Sequence, residues 1–451
     1  MRTLKKSLVI LKSFRPFIMK KLLAYLFILS FCLFSCTEKT LTDQIVPKRE
    51  NSHYLSIEKA KQEVEDILAA RALTRSGYFE PMRKIASVWT AKNPTTRSGL
   101  DPDQQEVYIM NFADSAGFAI VSSDNRIGLL GLALKGSLNE GDVIEDPGFG
   151  MTLLNMGGLL RSEPLDTTEV EDEQEYWDAY GEWENTFYEP TYGYSQVDWH
   201  QNPPFNEFCY TAAGNAAVTG CVPVAVAQLM SIYKYPTSYQ QYWFNWDAMI
   251  ANPLYVDPIG EHTVARLMYL LGTSDNLDVT YGVDESGADF LNIPRTLENF
   301  GYTSGGTVAA YSTYSVKNEL IAGYPVLING FSFKTTTITT ELFGLITHIN
   351  YSYSEGHAWL GHGLLVRSRP IYHYCGEELL STDYENEYFI RCNFGENDTG
   401  KDGYYQSGIF NYNFGWVYAD DYHTRSHTTQ TTEGTLYNYQ FKMRTVTGIR
   451  R

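Results

Sequence analysis

Cys221 stands at the head of TGCVPVAVAQLMSIYKYP (219–236), where a thiol meets an apolar run with helical spacing. Val222, Ala225, Val226, Leu229, Ile232 and Tyr233 share one helix face. Pro223 suits a first turn, where its missing N–H costs nothing, and Pro236 marks the stop. The spacing therefore predicts Cys221 at a helix N-terminus, in the partial positive field of unpaired amides. Such a field lowers a thiol pKa and favours the thiolate. The stretch by itself fits a buried structural cysteine or half a disulfide equally well.

A nucleophilic thiol needs a base, an orienter for that base and donors for an oxyanion. Nine histidines are available. His53 lies in an N-terminal unit, and His423 and His427 lie in a polar C-terminal stretch. EGHAWLGHG (355–363) sets His357 behind a glycine at the beginning of an expected strand. His362, five residues on, points to the opposite face of that strand, which weakens a His–His metal pair. No HExxH helix and no CxxC pair occurs, so a zinc centre is not expected. On its own, His357 also reads as an ordinary strand-end histidine.

The elements that must position these residues belong to a chain of 451 residues, too long for one ordinary core, so two domains are expected. Hydrophobic content of 43% and a mean hydropathy of −0.28 fit a folded soluble protein. A net charge of −18 with no basic stripe argues against nucleic acid as a partner. Residues 55–70 have helical periodicity, and 108–134 reads as strands broken by turns; together they form a small α+β unit over 50–160. Residues 161–189 are acidic, with eleven carboxylates against one arginine across 161–190, and read as a solvated connector, partly helical around Tyr176–Asn185. From 190 to 451 tyrosine- and glycine-rich strands dominate (324–332, 358–374, 387–395), with a short helix over 289–302 closed by Gly301. This is an α+β domain with an antiparallel sheet.

MKKLLAYLFILSFCLFSC (19–36) is a basic n-region followed by a short apolar h-region, a signal peptide over 1–35. Its end, Leu33-Phe34-Ser35-Cys36, resembles the lipobox of bacterial lipoproteins. That resemblance implies cleavage before Cys36, acylation of its thiol and a polar tether over 36–49: an exported chain anchored to a membrane. A plain secretory signal that happens to contain cysteine is the other reading, and Met1 and Met19 both serve as a start. Cys209, Cys221, Cys375 and Cys392 remain in the mature chain, with no framework spacing that assigns disulfides.

Read together, WHQNPPFN (199–206), the Cys221 stretch, YGVDESGA (281–288), GHAW (356–359) and CNFGENDTGKDGYY (392–405) resemble segments of the streptopain family of bacterial cysteine peptidases, in that family's order. The resemblance covers about 190–450, and the unit over 50–160 resembles the family's inhibitory propeptide. It implies a papain-like fold, in which a cysteine-bearing helix packs on an antiparallel sheet carrying the histidine. Cys221 becomes the nucleophile, and His357 the general base and later acid. The Gln201 side chain joins the Cys221 N–H around the oxyanion, and the Asn393 side chain fixes the imidazole tautomer. Ala288 and Gly356 line the cleft that receives the substrate backbone. No cofactor is implied, and the partners are protein or peptide substrates, the chain's own propeptide and a membrane reached through the lipid.

The chain departs from the family where Phe394 and Glu396 replace tryptophans, where Glu355 replaces a glycine, and where 333–354 looks like an inserted threonine-rich loop. The activity implied is that of a secreted, lipid-anchored endopeptidase made as a zymogen. The alternatives are a Cys-dependent acyl transferase and a catalytically silent surface binding protein of the same fold.

Overall fold

Ala60, Val64, Ile67 and Leu68 recur at helical spacing, and in the computed structural model they are the buried side of helix α1 (Ile57–Thr74). The structure describes residues 54–74, 83–92, 106–125, 127–142, 152, 176–195, 197–341, 346–395, 402–407, 429–434 and 439–451. The expected signal peptide, the Cys36 anchor, the tether, His53, His423, His427 and the connector up to residue 175 lie outside them.

After α1 come four antiparallel strands, β1 (Ile85–Lys92), β2 (Glu106–Phe112), β3 (Phe118–Ser122) and β4 (Leu129–Ala133). β2 alternates as a strand buried on both faces should. Tyr108, Met110 and Phe112 pack with α1, whereas Val107 and Ile109 join a second core.

The stretch expected to be partly helical forms two strands instead, β5 (Tyr176–Tyr180) and β6 (Glu184–Tyr188). Ala179 and Phe187 turn inward while most carboxylates stay outside, and a strand edge is there to pair with. Tertiary pairing overrides the local pattern.

The remaining elements are α2 (Cys221–Tyr233), the two-residue strands β7 (Ser238–Tyr239) and β8 (Tyr242–Trp243), α3 (Trp246–Ala251), α4 (Thr263–Gly272), α5 (Ile293–Asn299), β9 (Ser304–Ala310), α6 (Thr313–Ile321), β10 (Val326–Glu341), β11 (Ile346–Cys375), β12 (Glu378–Asn393), β13 (Asp402–Gln406), β14 (Thr429–Gly434) and β15 (Phe441–Arg450). As expected, Gly301 closes α5, with φ 91°. Among the described residues the main sheet runs β1-β2-β3-β4-β13-β12-β11-β10-β15-β9, with β14 on β10 and with β5 and β6 on β11. This is an α+β fold with a helix carrying the cysteine and a strand carrying the histidine. The supposed inserted loop is strand as well. Residues 333–341 pair with 346–354 in unbroken register, because threonines and aromatics suit a pleated surface.

Two joints matter for the site. β4 pairs with β13 (Ala133 opposite Gly403, Leu132 opposite Tyr404), so the sheet of the N-terminal unit continues into the sheet that carries His357. The described residues accordingly fall in one compact unit, Glu50–Arg451. The second joint is α2, which is buried from Val222 to Tyr233 and packs on Leu327, Ala358 and Leu360. Burying that apolar helix against β10 and β11 brings Cys221 to the strand that holds His357.

Candidate active site

Cys221 is the first residue of α2, behind Gly220. Gly220 has φ 89°, and a Cβ there would lie 3.0 Å from the Ser286 carbonyl oxygen, so the residue before the thiol is glycine for both conformation and space. The approach to it is pinned from two sides. Thr219 N–H donates to the Gln201 carbonyl at 3.0 Å, and Ser286 Oγ donates to the Val218 carbonyl at 2.6 Å. Gln201 is thus held two residues from the Cys221 peptide unit, with its own side chain half-buried. The segment containing Ser286 also carries Ala288, which packs partly buried against the same core as Cys221.

His357 lies on β11 opposite Gly330 of β10 and is 5% exposed. Its Nε2–H donates to the Phe394 carbonyl at 2.8 Å. A carbonyl only accepts, so Nε2 carries the proton and Nδ1 is left for the thiol. The Cys221 thiol is hydrogen-bonded to this imidazole. Burial pushes the thiol pKa up. The His357 hydrogen bond and charge, with the N–H groups of Ala358 and of Cys221 itself, outweigh that, and the net direction is down. The arrangement favours a thiolate–imidazolium pair.

The acceptor that fixes the imidazole differs from the expected one. Asn393 supports the neighbouring turn instead. Its Oδ1 accepts from Gln228 Nε2 and from Gly395 N–H, both at 3.0 Å, and its Nδ2 donates to the Val197 carbonyl at 3.1 Å. Gln228, fully buried on α2, also donates to the Trp199 carbonyl at 3.0 Å. The reason for the difference is backbone geometry: with β12 ending at Asn393, the next carbonyl, that of Phe394, is the one aimed at the ring. Asn393 is a positioning residue, one step removed from the imidazole.

The His357 ring lies among aromatic neighbours. Tyr439, Trp359 and Phe394 have ring centroids 5.1, 6.0 and 6.2 Å away, each within 25° of parallel. Trp359 and Phe394 also belong to the core that includes Val107, Ile109, Ile120 and Leu138, so the N-terminal unit packs behind the histidine. Gln228, Trp359 and Tyr439 went unrecognised in the sequence. Trp359 was findable, since two residues beyond His357 on a strand is the same face. Tyr439 carries no local signal.

Gly356 pairs with Phe331, and a Cβ there would meet that ring at 2.8 Å. Beside it, Glu355 has φ 52° and its carboxyl is hydrogen-bonded to that of Glu285. Burial, then the charge of Glu285, then that hydrogen bond raise the Glu355 pKa. His362 is placed elsewhere, buried with Nδ1 accepting from Ser195 N–H at 3.2 Å and Nε2 3.3 Å from Asp402. Among the described residues Cys209, Cys221, Cys375 and Cys392 form no disulfide with one another, and no His/Cys/Asp/Glu group is disposed to hold a metal.

Known proteins can be set beside this geometry. No curated protein sequence matches the chain. Among solved structures it is similar to a prointerpain A fragment of Prevotella intermedia (17% identity, 76% of this chain and 96% of that one, TM-score 0.43). It is also similar to the active interpain A cysteine protease of the same organism (20% identity, 57% of this chain and 93% of that one, TM-score 0.33). The model of the Peptidase C10 family matches from Trp199, before Gln201, to Tyr405, beyond Asn393, a span that contains both Cys221 and His357. Over residues 199–405 this chain is similar to the Peptidase C10 family.

Proposed function

We propose that this cysteine peptidase is an endopeptidase made as a zymogen, exported and anchored by lipid on Cys36. The observation that carries the catalytic part is the Cys221 thiol bonded to an imidazole whose other nitrogen is committed to the Phe394 carbonyl. The Cys221 thiolate attacks a peptide carbonyl carbon, and the carbonyl oxygen takes the negative charge. The Cys221 N–H and the Gln201 side-chain amide are the donors for that oxyanion, each worth ~3 kcal/mol of transition-state stabilisation. The imidazolium gives its proton to the departing amine as the C–N bond breaks, leaving a thioester. His357 then takes a proton from water, hydroxide adds to the thioester, and the acid leaves as the thiolate returns. Gly356 and Ala288 flank the cleft for the substrate backbone.

The N-terminal unit, 50–160, is the inhibitory propeptide in this reading, released by a cut in the acidic connector. In this reading the cut falls within 161–175, and β5 and β6, which pair with β11, stay with the catalytic domain.

The test is incubation of the purified chain with casein under reducing conditions, with Cys221→Ala as control. Cleavage by the parent alone is expected, together with labelling of Cys221 by a thiol-directed peptidase inhibitor. Amine incorporation in place of cleavage would move the assignment to acyl transfer, and neither activity nor labelling would leave a binding protein.

A further inference from the structure

Strand β11 is paired unequally along its length. Residues 346–361 pair with β10 on one edge, and pairing with β12 on the other edge starts only at Leu360. Among the described residues, the second edge of 346–359 has no strand partner. The side on which that edge lies follows from the thiol. The Ala358 N–H is directed at Cys221, so it points away from β10. In an antiparallel ladder N–H and C=O of one residue point the same way, and alternate residues point oppositely. Gly356, Ser354 and Ser352 therefore present their N–H and C=O groups on the Cys221 side.

The register is continuous across the base of this arm. Phe331 pairs with Gly356, Phe333 with Ser354 and Thr335 with Ser352, so the left-handed Glu355 does not shift the parity. From Gly356 back to Asn350 the open edge is about 20 Å long at ~3.3 Å per residue. Ser352, Ser354 and Gly356 are exposed. Exposed edges are usually blunted by proline, lysine or a bulge, and Ser352, Tyr353 and Ser354 supply none of these. An edge with no strand partner among the described residues, starting two residues from the amide that binds the nucleophile, is continuous with the cleft.

We propose that the open edge of β11 over residues 350–356 is an extended substrate site, which takes one flank of a polypeptide substrate as an added β-strand. The proposal rests on the peptidase reading and adds a substrate class to it: chain segments that are extended for several residues on one side of the scissile bond. Recognition is by main chain, since alternate N–H and C=O groups pair and the serines leave room for varied side chains.

The experiment compares two fluorogenic peptides with the same residues around the scissile bond, one short and one lengthened by six residues at each end. The readout is the ratio of their kcat/KM values. Expected is a ratio of about ten or more in the parent, falling three- to tenfold in Ser352→Pro and in Ser354→Pro, each of which removes one N–H from the open edge. Proline is tolerated there because those N–H groups do not serve β10. Ser352→Ala and Ser354→Ala keep the N–H and should keep the ratio.

N-methylating successive residues of the extension should cost affinity at alternate positions only, which needs no protein variant. Binding of the long peptide to the Cys221→Ala chain, read by fluorescence anisotropy, makes the same comparison without turnover. A long-to-short ratio near one in the parent, a ratio unchanged by both prolines, or N-methyl losses without alternation overturns the proposal. Failure of the peptidase reading shows separately, as no cleavage of either peptide while anisotropy still reports the edge.

Discussion

Replacing Asn393 with alanine separates two ways of orienting His357. If the side chain held the imidazole directly, its loss would disable the base while costing the fold little. The hydrogen bonds describe another role, and the cost can be worked from them. Asn393 is 6% exposed and makes three bonds, to Val197 O, Gln228 Nε2 and Gly395 N–H. Gln228 Nε2 keeps the Trp199 carbonyl in the variant, but the Val197 carbonyl and the Gly395 N–H lose these partners. A buried orphan costs about 1–3 kcal/mol, so Asn393→Ala should destabilise the chain by roughly 2–6 kcal/mol. That is a large part of ordinary domain stability. Urea unfolding, done in a Cys221→Ala background to prevent self-digestion, should show the midpoint falling with little change in slope. Alkylation of Cys221 in the otherwise native chain should then retain its acidic-pH component wherever the protein is folded, because the Phe394 carbonyl is backbone. An unchanged urea midpoint together with loss of acidic-pH alkylation would refute this reasoning and return Asn393 to the imidazole.

Iodoacetamide at mildly acidic pH should modify Cys221 before Cys209, since His357 and two N–H groups offset burial at the first thiol while burial raises the pKa of the second. Peptide mapping that found Cys209 labelled first would show that the pair is not ionised. Gln201→Ala should lower kcat by about 10²–10³ through loss of an oxyanion donor, yet leave alkylation intact, because the tie to Thr219 uses its backbone carbonyl. Normal turnover in that variant would assign the second donor elsewhere. Glu387 is pushed up to about 7, by burial first and against the pull of Arg367. Its folded pKa lies above the ordinary value, so the folded state holds the extra proton and stability falls as pH rises from about 4.5 to 7. Glu387→Gln should flatten that part of a stability–pH curve measured by urea unfolding, and an unaltered slope would place the pH dependence elsewhere.

The sequence by itself determined what short-range pattern can determine. Helical spacing after Cys221, with Pro223 inside the first turn, specified α2, because side-chain periodicity and proline sterics act within a few residues. The strand through His357 and the apolar periodicity of α1 were legible for the same reason, although that strand, β11, begins at Ile346 and not at the glycine before the histidine. The strands over 176–188 were not, since their partner is β11, almost 200 residues away, and an isolated acidic stretch says nothing of a distant edge. The acceptor for His357 is a main-chain carbonyl, which every residue possesses, so no residue type marks it; where β12 ends decided it. Tyr439 beside the imidazole and the joining of β4 to β13 likewise come from pairings distant in sequence. Only tertiary packing decides which backbone groups face a site, and here it leaves the carbonyl that holds the base and, among the described residues, an edge of β11 without a strand partner next to the nucleophile.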